Sequence, residues 1–169
     1  MLLVSAFRIW RHASAKNDAG SAEGVTFRFE PDDVRALTYI PLRFRMTLDL
    51  CALHLSQRQW NSLPHPARRA LIEAPCRSDS EATQLREVIV RAVHEAGGGV
   101  VSEIQMQEPL WRSREVPAQV RAMLDSLQLP LIGTDAWCEM SDDRRFALLK
   151  LTRQGHARNL ESALREFGL

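Results

Sequence analysis

Residues 40–72 read IPLRFRMTLDLCALHLSQRQWNSLPHPARRALI, and the pattern of this stretch returns in residues 116–149. The second stretch reads VPAQVRAMLDSLQLPLIGTDAWCEMSDDRRFALL. Matching residues are 76 positions apart before the central turn and 77 after it, so one added residue near Gly133 brings both stretches into register. The matching positions include the signature residues Pro41, Arg45, Asp49 and Trp60 in the first stretch and Pro117, Arg121, Asp125 and Trp137 in the second. Because chance seldom repeats proline and tryptophan in one frame over this length, we interpret the two stretches as an internal duplication.

Apolar residues in the first stretch recur at the spacing of an α-helix. Phe44, Leu48 and Cys51 fall on one helical face. A proline at the start of each stretch suits the first turn of a helix, where a missing N–H costs nothing. The longest predicted helix covers residues 79–96 and ends at three consecutive glycines. We therefore predict an all-α fold in which two duplicated helical units pack about a pseudo-twofold axis, bridged by that long helix.

The N-terminal residues differ in character from the rest of the chain. Residues 1–24 become rich in Ala, Ser, Gly and Asp and predict a flexible N-terminal extension. Residues 25–169 are predicted to form a single helical domain that contains the internal repeat (40–72 and 116–149). Residues 25–30 alternate apolar and polar side chains, but no partner strand is predicted. We therefore expect an extended arm that packs on helices.

Composition narrows the classes of function. The 169-residue chain has a formal net charge of +1, so no global field attracts nucleic acid or an anionic membrane. No apolar run approaches the ~18 residues that a membrane-spanning helix needs. Three cysteines without framework spacing indicate reduced thiols rather than a secreted, disulfide-bonded protein. Since residues 1–10 also lack the pattern of a secretory signal, we predict a cytoplasmic protein with no membrane partner.

The closest approach to a metal-ligand pair is Cys51-x-x-His54. A zinc site needs about four Cys or His ligands in clustered spacing, and no second pair follows. The duplication also argues against a ligand role, because the matching positions in the second stretch are Leu127 and Pro130. A position that holds leucine in its twin favours the core. We predict no metal and no other cofactor.

A catalytic thiol is the next alternative. Cys76 or Cys138 would need a histidine nearby in space, such as His65 or His156. A buried or half-buried free thiol is the commoner role of such residues, and we favour it. No catalytic residue is therefore predicted, and the protein is expected not to be an enzyme.

Arginines outnumber lysines and recur in both stretches. The pairs Arg45 with Asp49 and Arg121 with Asp125 lie at i and i+4, a spacing that stabilises a helix by a few tenths of a kcal/mol. A second set opens equivalent helices and forms a possible partner face: Arg68, Arg69, Arg144 and Arg145. A helix-turn-helix protein would insert such arginines into a DNA groove, but acidic residues are interspersed among them. This mixture disfavours nucleic-acid binding and favours a solvated, ion-paired face.

Several motifs together resemble the nitrate-reductase-associated protein family. They are Phe27-x-Phe29-Glu30, Ile40-Pro41-x-x-Phe44-Arg45-x-x-Leu48-Asp49-x-Cys51, Trp60, Pro75-Cys76, Val116-Pro117, Trp137, the run from Arg145 to Leu151, and Leu164-x-x-Phe167. The resemblance covers residues 27–169. At position 52 this chain has alanine where the family has glycine.

The resemblance implies a cytosolic, non-catalytic helper that binds another protein and supports the maturation or activity of an assimilatory, molybdopterin-dependent nitrate reductase. Its implied partner is nitrate reductase or a molybdopterin cofactor-assembly protein. Genes of the family lie beside those for nitrate reductase and molybdopterin synthesis. Two alternatives from other classes are an enzyme or carrier for a molybdopterin intermediate and a DNA-binding regulator of nitrate genes. The resemblance supplies no catalytic or binding residues.

Overall fold

A computed structural model of the chain describes residues 24–105, 109–153 and 157–169, and these residues are mostly helical. The helices are α1 (Asp32–Arg35), α2 (Leu42–Leu50), α3 (Gln57–Ser62), α4 (His65–Ile72), α5 (Asp79–Glu95), α6 (Ala118–Ser126), α7 (Thr134–Glu139), α8 (Asp142–Leu151) and α9 (Leu160–Phe167). Two strands, β1 (Leu53–His54) and β2 (Ser102–Glu103), and two 3-10 turns, Leu110–Arg112 and Ala157–Asn159, complete the described elements. The predicted helical class is confirmed. Except for Gly24, the predicted N-terminal extension lies outside the described residues.

The chain divides into two compact units. The first contains the described residues 24–26 and 32–105, with α1 to α5 and both strands. The second contains residues 27–31 together with the described residues from 109 to the C-terminus, with α6 to α9. The single domain, the pseudo-twofold axis and the bridging role of α5 stay predictions. None of the described helices combines the length and the apolar character that crossing a membrane requires.

Serine side chains begin two helices of the first unit. The Ser56 hydroxyl accepts a hydrogen bond from the backbone N–H of Gln59, whose side chain in turn accepts from the Ser56 backbone. Ser78 and Glu81 form the same reciprocal arrangement at the start of α5. Each arrangement satisfies N–H groups that have no partner within the helix.

The core of the first unit lies where α5 packs against α2, α3 and α4. The apolar stripe of α5 supplies Ile89 and Val93, which are completely buried, and α3 supplies Trp60, which is also completely buried. The Trp60 ring lies 5.3 Å from the Phe44 ring between centroids. The apolar residues that recur at helical spacing in the sequence are therefore the residues that form this core.

A short antiparallel ladder was not predicted. Leu53 of β1 faces Glu103 of β2, and His54 faces Ser102. The ladder begins where α2 ends, because Ala52 adopts a left-handed φ of 54° and turns the chain into an extended segment. A strand of two residues shows no periodicity in the sequence, so only the pairing reveals it.

In the second unit, α8 forms the centre of the core. It contacts α6, α9 and both 3-10 turns. Its buried residues are Phe146, Ala147, Leu148, Leu149 and Leu151. Such continuous burial requires apolar residues on nearly every face of α8, which explains why RFALLKL lacks a clean amphipathic pattern.

Residues 27–30 of the predicted arm at residues 25–30 belong to the second unit. The Phe27 ring stacks on the Phe29 ring at 5.2 Å and meets the Phe167 ring of α9 edge-on at 5.4 Å. The Glu166 carboxylate accepts hydrogen bonds from the backbone N–H groups of Arg28 at 3.0 Å and Phe29 at 2.9 Å. The segment therefore forms turns that pack on α9 rather than a strand.

Candidate functional site

A tryptophan and an arginine share one backbone acceptor in the first unit. Trp60 donates from Nε1 to the carbonyl oxygen of Leu37 at 2.9 Å, and Arg68 donates from Nη1 to the same oxygen at 2.8 Å. The Arg68 guanidinium also donates to the carbonyl oxygens of Leu63 at 2.9 Å and Asn61 at 3.0 Å. It lies 5.7 Å from the centre of the Trp60 ring. Arg68 thus ties the segment before α2 to the end of α3.

The second unit contains an arrangement of the same kind. Trp137 donates from Nε1 to the carbonyl oxygen of Ser113 at 2.9 Å, and Arg145 approaches that oxygen with Nη1 at 3.5 Å. The Arg145 guanidinium lies 6.0 Å from the centre of the Trp137 ring and donates to Asp142 at 2.7 Å. Its side chain is 13% exposed. Arg145 therefore lies against its own unit.

The four arginines of the predicted partner face thus separate into two kinds. Arg68 and Arg145 turn toward backbone carbonyls and a tryptophan ring. Arg69 forms an exposed ion pair with Glu73 at 2.9 Å. Arg144 is exposed, with its guanidinium 5.3 Å from the centre of the Phe167 ring. Neighbouring helical residues point in different directions, which places one arginine of each pair inward and the other outward. Contact of Arg69 and Arg144 with a partner stays a prediction.

The two arginine–aspartate pairs have different surroundings. Arg45 and Asp49 are half-buried on α2. Arg121 and Asp125 are exposed on α6 and form no ion pair with any described residue. An exposed ion pair at this spacing would contribute at most a few tenths of a kcal/mol, so its absence from α6 costs little stability.

The thiols and histidines singled out in the sequence lie in different environments. Cys51 is buried, and His54, its candidate co-ligand, is exposed on β1. Cys138 is exposed on α7, and His65 is exposed at the start of α4. His156 lies outside the described residues. Among the described residues, no group of three or more His, Cys, Asp or Glu side chains could hold a metal ion.

The structure brings together two cysteines that the sequence does not pair. Cys51, at the end of α2, is 3% exposed, and Cys76, between α4 and α5, packs against the same apolar cluster. Their side chains are hydrogen bonded. This hydrogen bond, burial and the charge that Cys76 can carry raise the pKa of the Cys51 thiol far above its ordinary value, while Arg86 partly opposes the shift.

Arg86 of α5 contacts the end of α2 near Cys51 and also contacts strand β2. Its Nη1 donates to the carbonyl oxygens of Cys51 at 2.9 Å and Ala52 at 3.2 Å. Its Nη2 lies 2.5 Å from the Glu103 carboxylate on β2. Cys51 and Cys76 are too far apart in the chain for any spacing rule to pair them. Their shared presence among the residues that carry the family resemblance was the available signal.

Comparison with known proteins identifies a family. A family model described as conserved nitrate reductase-associated protein matches residues 26–167. No curated protein and no solved structure matches the chain. The family match covers described residues of both compact units, including both tryptophan–arginine arrangements and the two neighbouring thiols.

Proposed function

The chain belongs to the conserved nitrate reductase-associated protein family, and from that premise we propose that it supports nitrate reductase by binding another protein and catalyses no reaction itself. The partner is nitrate reductase or a protein that assembles its molybdopterin cofactor. The family match over residues 26–167 is the observation that carries this proposal.

The use of polar groups in both units supports a binding role. Arg68 directs its guanidinium to three backbone carbonyls, and Arg145 directs its own to Ser113 and Asp142. A catalytic site needs polar groups that converge on a substrate. These guanidinium groups instead hold helix ends and loops in place, so they act as parts of a scaffold.

Exposed apolar side chains offer a contact surface on the second unit. The turn between α6 and α7 presents Leu127, which is 44% exposed, and Leu131, which is 64% exposed. The position that matches Leu127 in the first unit is Cys51, which is 3% exposed. A single exposed leucine is common on a protein surface, whereas exposed apolar side chains that form a contiguous patch mark binding surfaces. We assign the partner contact on the second unit to this turn and to the exposed Arg144. The exposed Arg69 of the first unit is a separate arginine able to pair with a partner carboxylate.

We also infer that the two units arose by duplication and present related surfaces. Helices α2 and α6 each follow a proline, Pro41 or Pro117, and contain nine residues. Ala52 and Gln128, which are 76 positions apart, have φ values of 54° and 55°. An experimental structure in which residues 40–72 and 116–149 failed to superpose would contradict the duplication.

The proposal is tested by deleting the gene and assaying nitrate reductase in cell extracts. Activity should fall, and purified protein added back should restore it without turnover of a low-molecular-weight substrate. Normal activity in the deletion strain would show that the proposal is wrong. A fall caused by lost reductase transcript would favour a DNA-binding regulator. Restoration that consumes a molybdopterin intermediate would favour an enzyme or carrier.

The contact surface is tested with matched variants. Changing Leu127 and Leu131 together to serine should abolish co-purification of nitrate reductase or its cofactor-assembly protein, with thermal stability unchanged because both side chains are exposed. The matched control is Val100→Ser, which alters a side chain that is 90% exposed in the first unit. Retained co-purification by the double variant, or equal loss in the control, would exclude this turn.

The arginine contribution is tested separately. Arg69→Gln and Arg144→Gln should each weaken partner binding, because each removes an exposed guanidinium and keeps the side-chain length. Arg91→Gln provides the control, since Arg91 is an exposed arginine on α5 to which no partner contact is assigned. Equal effects of all three substitutions would indicate a response to net charge alone.

A further inference from the structure

The strongest unassigned feature of the first unit is the pair of reduced cysteines at the end of α2. Cys51 is buried, Cys76 is half-buried, and the two side chains are in hydrogen-bond contact within one apolar cluster. Cysteines that pack together in a core without ligating a metal or forming a disulfide gain little from having sulfur at both positions, because either could be alanine or valine. Two adjacent thiols can do one thing that apolar residues cannot, which is to form a disulfide.

We propose that Cys51 and Cys76 form a reversible intramolecular disulfide, so that this corner of the first unit is a site of redox modification. The disulfide would join the C-terminal end of α2 to the segment that enters α5. The inference rests on the packing of both side chains in one apolar cluster and on the hydrogen bond between them, and it does not depend on which partner the protein binds.

The oxidant is a low-molecular-weight disulfide of the glutathione class or the disulfide of an exchange protein. Cys76 is the more exposed thiol, so its thiolate attacks one sulfur of the oxidant. The disulfide of the oxidant breaks, a mixed disulfide forms on Cys76, and one thiol leaves with a proton. Cys51 then loses its proton and attacks the Cys76 sulfur, which releases the second thiol. One oxidant disulfide is reduced to two thiols while the two cysteine thiols become one disulfide.

The surroundings explain the order of these two steps. In the reduced state Cys51 is held as a neutral thiol by its hydrogen bond to Cys76 and by burial, so it does not react first. Once Cys76 is part of a mixed disulfide, it can no longer carry a negative charge beside Cys51. The positive charge of Arg86 then remains next to Cys51 and favours its thiolate. Attack on Cys76 thus removes one of the causes that keep Cys51 neutral, while burial continues to raise its pKa.

Formation of the disulfide should stabilise the first unit around β1 and β2. Arg86 already holds the carbonyl oxygens of Cys51 and Ala52 and pairs with Glu103 of β2. A covalent bond from Cys51 to Cys76 constrains the unfolded chain over α3 and α4, which raises the midpoint of thermal unfolding by about 5 to 10 °C.

The test incubates the full-length reduced protein with graded ratios of oxidised to reduced glutathione, followed by alkylation and mass spectrometry. Before alkylation, the expected product is 2 Da lighter than the reduced protein. After alkylation it is labelled at Cys138 alone and yields one peptide pair linked through Cys51 and Cys76. Cys138→Ser should oxidise in the same way, because Cys138 is exposed on α7 and takes no part. Cys51→Ser should stop at the mixed disulfide on Cys76.

Should Cys51→Ser fail to fold, Cys76→Ser at the half-buried position serves as the second block and should prevent the 2 Da loss. The inference is overturned if Cys51 and Cys76 both stay alkylatable under fully oxidising ratios. It is also overturned if oxidation links Cys138 to another cysteine or joins two chains, since neither product uses the contact between Cys51 and Cys76.

Discussion

Trp60 and Arg68 donate hydrogen bonds to one oxygen atom, the backbone carbonyl of Leu37, at 2.9 and 2.8 Å. Leu37 has a φ of 57°, in the left-handed region that leucine seldom adopts. The two donors hold this unfavourable conformation in place, and the tryptophan indole finds a partner for its N–H although the ring is completely buried. The segment that leads into α2 therefore depends on residues from α3 and α4.

We expect Arg68→Gln to destabilise the protein by about 2–3 kcal/mol, because glutamine cannot replace the hydrogen bonds to the carbonyl oxygens of Leu37, Leu63 and Asn61. The neighbouring Arg69→Gln is the matched control and should change stability by about 0.5 kcal/mol or less, because its ion pair with Glu73 is exposed. Urea unfolding followed by tryptophan fluorescence measures both. Equal losses in the two variants would contradict the stabilising role of the hydrogen bonds that Arg68 donates.

Trp60→Ala and Trp137→Ala should each cost about 3–5 kcal/mol, since both rings are completely buried and their removal leaves a large cavity. Losses of that size bring a typical domain close to unfolding. Trp60→Phe should cost less, because it keeps most of the ring volume and removes the hydrogen bond to Leu37. Thermal unfolding monitored by circular dichroism provides the comparison, and a tolerated Trp→Ala change at either position would contradict the core role.

Ala52→Gly should stabilise the protein by as much as about 1 kcal/mol. Ala52 has a φ of 54°, and glycine adopts this conformation without the steric cost that a Cβ imposes. The gain is reduced by the greater freedom of glycine in the unfolded chain. Ala70→Gly inside α4 is the control and should destabilise by about 1 kcal/mol. Denaturant midpoints of the two variants should therefore move in opposite directions.

The Cys51 thiol should make stability depend on pH in the alkaline range. Its pKa is raised in the folded protein, first by the hydrogen bond to Cys76 and then by burial, from an ordinary value of 9.0. The folded state therefore holds this proton more tightly than the unfolded state. The resulting stability is intact below about pH 9 and is lost progressively as the pH rises above it.

Reduced protein unfolded in urea at several values between pH 7 and pH 10 should show this loss, and Cys51→Ala should show a shallower slope. Cys138→Ala removes an exposed thiol and should keep the slope of the unaltered protein. Identical slopes for all three proteins would mean that Cys51 does not contribute.

Glu166→Gln should loosen the turn at residues 27–31 while most of the second unit remains folded. The carboxylate accepts from the backbone N–H groups of Arg28 and Phe29, and an amide offers only one oxygen in place of two. We expect faster hydrogen exchange at these two backbone amides. Glu161→Gln, which alters an exposed ion pair with Arg165 on the same helix, should leave their exchange unchanged.

The sequence by itself determined the helices and where several of them begin. Pro41 and Pro117 immediately precede α2 and α6, and the serine–glutamine pair at Ser56 and Gln59 starts α3. These features act over three or four residues, so local chemistry suffices to specify them. The burial of Trp60 and Trp137 likewise follows from their places in the repeated pattern, and the residue motifs predicted the family.

Only the tertiary structure decided which polar side chains are exposed and which are bonded to the backbone of the protein. Arg68 and Arg69 are adjacent in the chain and chemically identical, yet one meets the carbonyl of Leu37 and the other meets solvent and Glu73. The ladder between β1 and β2 and the contact between Cys51 and Cys76 join residues that are distant along the chain. Such pairings depend on how completed helices pack and where left-handed residues turn the backbone. Local periodicity and capping signals contain no information about a partner that lies so far along the chain.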